Sequence, residues 1–214
     1  MKCSKEMMLL YAVTDSRFAK KQSLLEQIEA ALKGGVTCLQ LREKNLDDEK
    51  FLQRALQVKQ LCKKYHVPFI INDNVDVAIK CQADGIHVGQ DDMDVKKVRQ
   101  LVGDKMMIGL SVQTLDQALL AKEVGANYLG VGTVFNTTTK EDAIDVSYET
   151  LKQICQSVDL PVVAIGGINK ENMPLLKGSA IDGVALVSAI FSAENIEDEC
   201  KQLLELAKRV VNDD

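Results

Sequence analysis

The sequence predicts an α/β protein, a single (β/α)8 TIM barrel filling residues 1–214, and three observations carry that reading. Short apolar runs rich in β-branched residues recur eight times. They are almost continuously apolar, as parallel strands covered on both faces should be. Between them lie amphipathic stretches with helical spacing, and no linker, low-complexity stretch or composition break divides the series.

The strand series is Leu9–Val13, Thr37–Leu41, Pro68–Ile71, Gly85–Val88, Met107–Leu110, Tyr128–Val131, Val162–Ile165 and Gly183–Val187. The first helix, Ser23–Lys33, places Leu24, Ile28, Ala31 and Leu32 on one stripe and stops at Gly34–Gly35. Asp47–Tyr65 follows, with Phe51, Ala55, Val58 and Leu61–Cys62 at helical spacing. Val75–Cys81, Asp94–Val102, Gln113–Val124, Ser147–Ser157 and Lys170–Lys177 are shorter helices, and Ile196–Val211 closes the chain. Strand count alone leaves an open doubly wound sheet as the alternative to closure. One connection is long: Gly132–Val146 exceeds the usual βα loop, which marks a lid or binding loop.

A net charge of -5 argues against a nucleic-acid surface, which needs clustered Lys and Arg. It leaves room for an anionic ligand held by a few local cations. No apolar run is long enough to span a bilayer, and the N-terminus lacks a signal-peptide pattern, so a cytoplasmic protein is expected. Six scattered cysteines without CxxC or a histidine pair read as free thiols. Oligomeric state stays open, a homo-oligomer included.

In a barrel, residues just past the carboxyl ends of the strands share one rim, where active sites sit. Here that rim collects Thr14–Asp15, then Gln40 with Arg42, Glu43 and Lys44, then Asn72–Asp73 and Gln90–Asp91–Asp92. Ser111, the run Thr137–Thr138–Thr139–Lys140, Gly166–Gly167 and Ser188 complete it. Glycine lets backbone N–H groups approach a phosphate after strands seven and eight, and a following helix N-terminus adds a favourable dipole. Asp73 and Asp92 form a two-carboxylate site suited to Mg²⁺, with Arg42, Lys44 and Lys140 as cations for a departing diphosphate.

Each feature has a plainer reading. Asp73 and Asp92 are also placed as N-caps of the helices that follow them. Gly166–Gly167 also fits a tight turn, and Thr137–Thr139 a solvated loop. The paired carboxylates also suit an ion-pair network or acid–base chemistry. His87 and Cys38 read as core or barrel-interior residues. Convergence on one rim favours the binding reading.

These residues resemble the thiamine-phosphate synthase family from about Leu9 to Ile190. The resemblance lies in YAVTD, LQLREK, PFIINDNVDVA, ADGIHVGQDD, IGLSV, GVGTVFNTTTK, VVAIGGI and GVALVSAI. It implies a transferase that joins hydroxymethylpyrimidine diphosphate to a thiazole phosphate, giving thiamine phosphate and pyrophosphate, with Mg²⁺ as cofactor. By motif, Gln40, Leu41, Arg42, Glu43, Lys44 and Asn72 would bind the pyrimidine diphosphate, and Asp73 and Asp92 would ligate Mg²⁺. Ser111 and Lys140 would complete the pyrimidine and diphosphate contacts. Arg42, Lys44, Ser111 and Lys140 would form the catalytic set. Thr137, Thr138, Thr139, Gly167, Val187 and Ser188 would hold the thiazole phosphate.

Three departures stand out. Asn74 follows Asp73 where an acid is frequent, Asn127 stands in GANY where GADY is common, and Glu141–Ser147 lacks a frequent glycine. A thiazole tautomerase of the same superfamily would have no use for a metal–diphosphate subsite. A non-catalytic binder of thiamine precursors is the alternative from another class.

Overall fold

A computed structural model describes residues 3–19, 22–136 and 145–212. A short helix α1 (Lys5–Met8) leads into β1 (Leu10–Val13). Then follow α2 (Leu24–Lys33), β2 (Cys38–Leu41), α3 (Asp48–Tyr65), β3 (Phe69–Asn72), α4 (Val75–Lys80), β4 (Gly85–Val88) and α5 (Val95–Val102). The second half runs β5 (Met107–Val112), α6 (Leu115–Val124), β6 (Tyr128–Val131), α7 (Tyr148–Ser157), β7 (Val162–Ile165), β8 (Gly183–Leu186), α8 (Ser188–Phe191) and α9 (Ile196–Val211). The strands pair in parallel in sequence order, and β1 pairs with β8. The barrel is closed, which excludes the open sheet.

Helix ends follow local chemistry. Ser23 and Glu26 form a capping box at α2, each side chain satisfying the other's backbone N–H. Between β7 and β8 the expected helix Lys170–Lys177 is instead a 3-10 turn over Met173–Leu176. Pro174 cannot donate to the turn before it and disfavours the helical region for Met173. Asn169 meanwhile draws the N–H groups of Glu171 and Asn172 into a tight turn. The two short helices α1 and α8 carry too few residues to leave a periodic signature.

The apolar interior has two layers. Leu39, Leu41, Ile71, Ile86 and Leu129 point outward from their strands and meet the helices. Tyr11, Cys38, Ile70, Met107, Tyr128 and Val163 fill the lumen, and Met8 closes its lower end. At that end one contact repeats four times, each linking an even strand to the odd strand before it. Thr37 Oγ1 accepts the N–H of Leu10 (2.8 Å), and Asp84 Oδ2 that of Phe69 (2.9 Å). Asn127 Oδ1 accepts from Ile108 (2.8 Å), and Asp182 Oδ2 from Val162 (2.8 Å). Only an acceptor oxygen is required, which explains why Asn127 serves where an aspartate is common. Its amide oxygen also receives Arg99 at 2.7 Å. Among the described residues, no helix is long and apolar enough to cross a membrane.

Candidate active site

The opposite end of the barrel opens into one cleft. Gln40, Arg42, Lys44, Asn72, Asp73, Asp92, Ser111, Gly167, Val187 and Ser188 all line it. Strand geometry explains the selection around β2. Side chains alternate faces, so Gln40 turns into the lumen while Leu41 turns out and is buried against the helices. Glu43 also faces away: its carboxylate accepts from Arg54 (2.6 Å) and Ser16 (2.8 Å) on the barrel flank. The side chains of Leu41 and Glu43, both expected to bind substrate, therefore face away from the cleft, and neither residue lines it. Thr137, Thr138, Thr139 and Lys140 lie outside the described residues.

Neither carboxylate serves as a helix cap. Asn74 caps α4 by accepting from Val77, and Asp94 caps α5 by accepting from Lys96 and Lys97. Asp73 instead sits in the left-handed region at φ 60°, a conformation that aspartate and asparagine tolerate better than most residues. Asp92 folds back so that Oδ2 accepts the N–H of Gly89 at 2.7 Å. A Cβ on residue 89 would lie 3.1 Å from that oxygen, so glycine makes room for the turn.

Burial pushes the Asp73 carboxyl up; Lys44, which donates to it, pulls down, while hydrogen bonding and charge from Asp92 push up again. The net direction is upward. A partly buried carboxylate whose proton affinity is raised by a second hard oxygen donor beside it is suited to a small divalent cation. Among the described residues no group of three or more His, Cys, Asp or Glu converges, so those residues offer a carboxylate pair rather than a closed ligand cage. That pattern fits Mg²⁺, which keeps waters and takes oxygens from a bound phosphate.

Arg42 is steered from behind. Buried Asp15 accepts from Arg17 Nη2 at 2.6 Å and stands 3.7 Å from Arg42 Nη1. On the far wall, Gly166 and Gly167 adopt φ 102° and 65°. A Cβ on Gly167 would lie 2.5 Å from the Phe135 carbonyl oxygen and 2.4 Å from that of Asn136. The β7 exit is thus pressed against the loop leaving β6, and only glycine meets both the dihedral and the approach.

The cleft floor holds residues that the sequence reading left unassigned or placed in the core. Tyr11 and Tyr128 share a hydrogen bond of 2.7 Å. His87 touches Tyr128 through Nδ1 (3.1 Å) and Ser111 through Nε2 (2.9 Å). Tyr11 and Tyr128 sit in strands that read as uniformly apolar, and nothing in that pattern signals a polar contact. His87 is a barrel-interior residue, as expected, and also part of the cleft wall.

The comparisons agree with this geometry. A family model described as thiamine monophosphate synthase matches residues 10–190. A thiamine-phosphate synthase from Clostridioides difficile (strain 630) is 48% identical over 198 residues, covering 92% of this chain and 94% of that protein. Another, from Clostridium acetobutylicum, is 45% identical over 200 residues, covering 94% and 95%. The solved structure of thiamine phosphate pyrophosphorylase from Pyrococcus furiosus superposes with a TM-score of 0.89 at 36% identity, covering 97% of this chain and 98% of that one. With its closed barrel and its single lined rim, this chain belongs to the thiamine monophosphate synthase family.

Proposed function

We propose that this chain is a transferase that couples hydroxymethylpyrimidine diphosphate to a thiazole phosphate, releasing pyrophosphate and thiamine phosphate. One observation carries the assignment of parts. Asp73 and Asp92, with Arg42 and Lys44, line the same cleft as Gly167, Val187 and Ser188 from the opposite strand exits. A diphosphate subsite thereby faces a monophosphate subsite.

Asp73 and Asp92 would hold Mg²⁺, which when bound supplies positive charge to diphosphate oxygens. Arg42, Lys44 and Lys140 neutralise the charge that develops as the diphosphate leaves. Gln40, Asn72 and Ser111 orient the pyrimidine, whose electron-rich ring supports positive charge on its methylene carbon. Thr137, Thr138, Thr139, Gly167, Val187 and Ser188 hold the thiazole phosphate so that the ring nitrogen meets that carbon. The C–O bond to the diphosphate breaks and a C–N bond forms, so no protein nucleophile is needed. Orientation and electrostatics provide the rate. Leu41 and Glu43, whose side chains face away from the cleft, would contribute only through backbone groups.

A cytoplasmic location belongs to the same proposal, supported by six cysteines that are all free thiols. Incubating the protein with both precursors and Mg²⁺ tests the reading. Release of pyrophosphate together with thiamine phosphate is expected, whereas binding of both precursors without turnover would overturn it.

A further inference from the structure

Beneath the cleft, five side chains form one continuous hydrogen-bonded line across the lumen. Gln40 Nε2 donates to the Tyr11 hydroxyl at 2.9 Å. Tyr11 meets Tyr128 at 2.7 Å, Tyr128 meets His87 Nδ1 at 3.1 Å, and His87 Nε2 meets Ser111 Oγ at 2.9 Å. The line therefore joins two residues assigned to the pyrimidine, Gln40 from β2 and Ser111 from β5.

The strands are cut to fit it. A Cβ on Gly109 would lie 2.2 Å from Tyr128 Cζ and 2.4 Å from His87 Nδ1. One on Gly130 would lie 3.1 Å from His87 Cε1. Two neighbouring strands thus give up their side chains where the imidazole and phenol rings lie.

Such a line has a direction, because each tyrosine has one hydrogen to give. Accepting from Gln40 leaves Tyr11 its own hydrogen for Tyr128. The nearby Cys38 thiol also interacts with Tyr11 but is a much weaker acceptor than a phenol oxygen. With Tyr128 donating to His87 Nδ1, a neutral imidazole would carry its hydrogen on Nε2 and donate it to Ser111. The serine oxygen is thereby occupied as an acceptor, and its hydrogen is available to the cleft. At the other end, the Gln40 amide nitrogen is engaged below, so its carbonyl oxygen turns toward ligand.

We propose that Tyr11, Tyr128 and His87 are positioning residues, a one-way relay that presents a hydrogen-bond acceptor at Gln40 and a donor at Ser111 to the pyrimidine diphosphate. The proposal rests on the assignment of this cleft to that substrate. An exocyclic ring amine suits the acceptor at Gln40, and a ring nitrogen or phosphate oxygen suits the donor at Ser111. Reversing the His87 contacts would turn the Ser111 hydrogen inward and leave its oxygen facing the cleft.

The chain has two histidines, so imidazole nitrogen NMR of the uniformly labelled protein reads the polarity directly. Exposed His66 is assigned by the variant His66→Asn, which suits its left-handed backbone at φ 57°. At pH 7, His87 is expected with Nε2 protonated and Nδ1 bare; a proton on Nδ1 would overturn the proposal. Tyr128→Phe keeps the ring and removes the link. Loss of one such hydrogen bond should lower kcat/KM for the pyrimidine diphosphate about tenfold. It should leave KM for the thiazole phosphate unchanged and populate both His87 tautomers. Wild-type kinetics in that variant, or equal loss for both substrates, would also sink the relay. Should the wild-type protein make no thiamine phosphate, the coupling assignment fails, and the histidine spectrum still decides the direction of the line.

Discussion

Lys44 and Asp73, 29 residues apart in sequence, are ion-paired at the mouth of the cleft. The pair joins the exit of β2 to that of β3 and sets the cation proposed for diphosphate beside a carboxylate proposed for metal. On the proposed assignment, Lys44 and the metal would compete for the same carboxylate, and both would find partners once a diphosphate bound.

Asp73→Asn isolates the charge. Asparagine tolerates the left-handed backbone of position 73, so the fold should persist with an unchanged circular dichroism spectrum and Tm. Metal-dependent turnover should fall roughly a hundredfold or more at any Mg²⁺ concentration, as for other removed charge-stabilising groups. Asp92→Ala should act in the same direction. Full activity at saturating Mg²⁺ in either variant would exclude the metal assignment.

Asp15 predicts a pH effect on stability. Burial raises its pKa, but hydrogen bonds from Arg17 and the charges of Arg17 and Arg42 outweigh that, leaving it below the usual carboxylate range. A depressed folded-state pKa contributes stability that is complete above the unfolded value of about 3.9 and disappears as pH falls through the folded value. Urea unfolding of Asp15→Asn should therefore depend less on pH than the wild type below about pH 4. Parallel curves would show that the contact contributes nothing.

Gly167→Ala places a methyl group against the carbonyls of Phe135 and Asn136, on a backbone at φ 65°. The left-handed conformation alone costs an alanine about 1–2 kcal/mol. The relief available is withdrawal of Phe135 and Asn136, which precede Thr137, Thr138 and Thr139 in sequence. KM for the thiazole phosphate should rise about tenfold or more as that loop shifts, by the sensitivity of bound geometry to small displacements. An unchanged KM would separate the loop from the monophosphate subsite.

At the other end of the barrel, Asp84→Ala leaves the Phe69 N–H without its acceptor. A lost partner for a buried donor costs about 1–3 kcal/mol, so Tm should drop measurably. Turnover well below the melting transition should stay at the wild-type level, because that face is remote from the cleft. A large loss of activity at low temperature would contradict the division of labour between the two ends.

Much of this was readable in advance because parallel strands carry uninterrupted apolar runs and the helices carry clear stripes. Three of the eight strands, Gly85–Val88, Tyr128–Val131 and Val162–Ile165, begin and end where the sequence places them. The rim residues were readable because strand exits are predictable once strands are. What escaped was orientation. Leu41 and Glu43 sit within a motif beside Gln40 and Arg42, yet strand alternation turns Leu41 into the helix layer, and Arg54 draws Glu43 outward. Tyr11 and Tyr128 escaped for a related reason: in a strand apolar on both faces, no periodicity says which side chains meet across the lumen. The Met173–Leu176 turn escaped because a single proline outweighs an otherwise helical pattern.

The four contacts at the lower end of the barrel also bear on how the molecule assembles. They span 27, 15, 19 and 20 residues, three closing a strand–helix–strand segment on itself and the fourth the β7–turn–β8 segment. Four such segments can therefore complete their own internal register before the ring shuts, and short-range closure of this kind favours fast folding. Hydrogen exchange at the Leu10, Phe69, Ile108 and Val162 amides should register the same modularity as strong and separately perturbable protection. Assembly information is thereby concentrated at one end of the barrel, leaving the loops at the other end free to diverge in chemistry without disturbing the order in which strands find their neighbours.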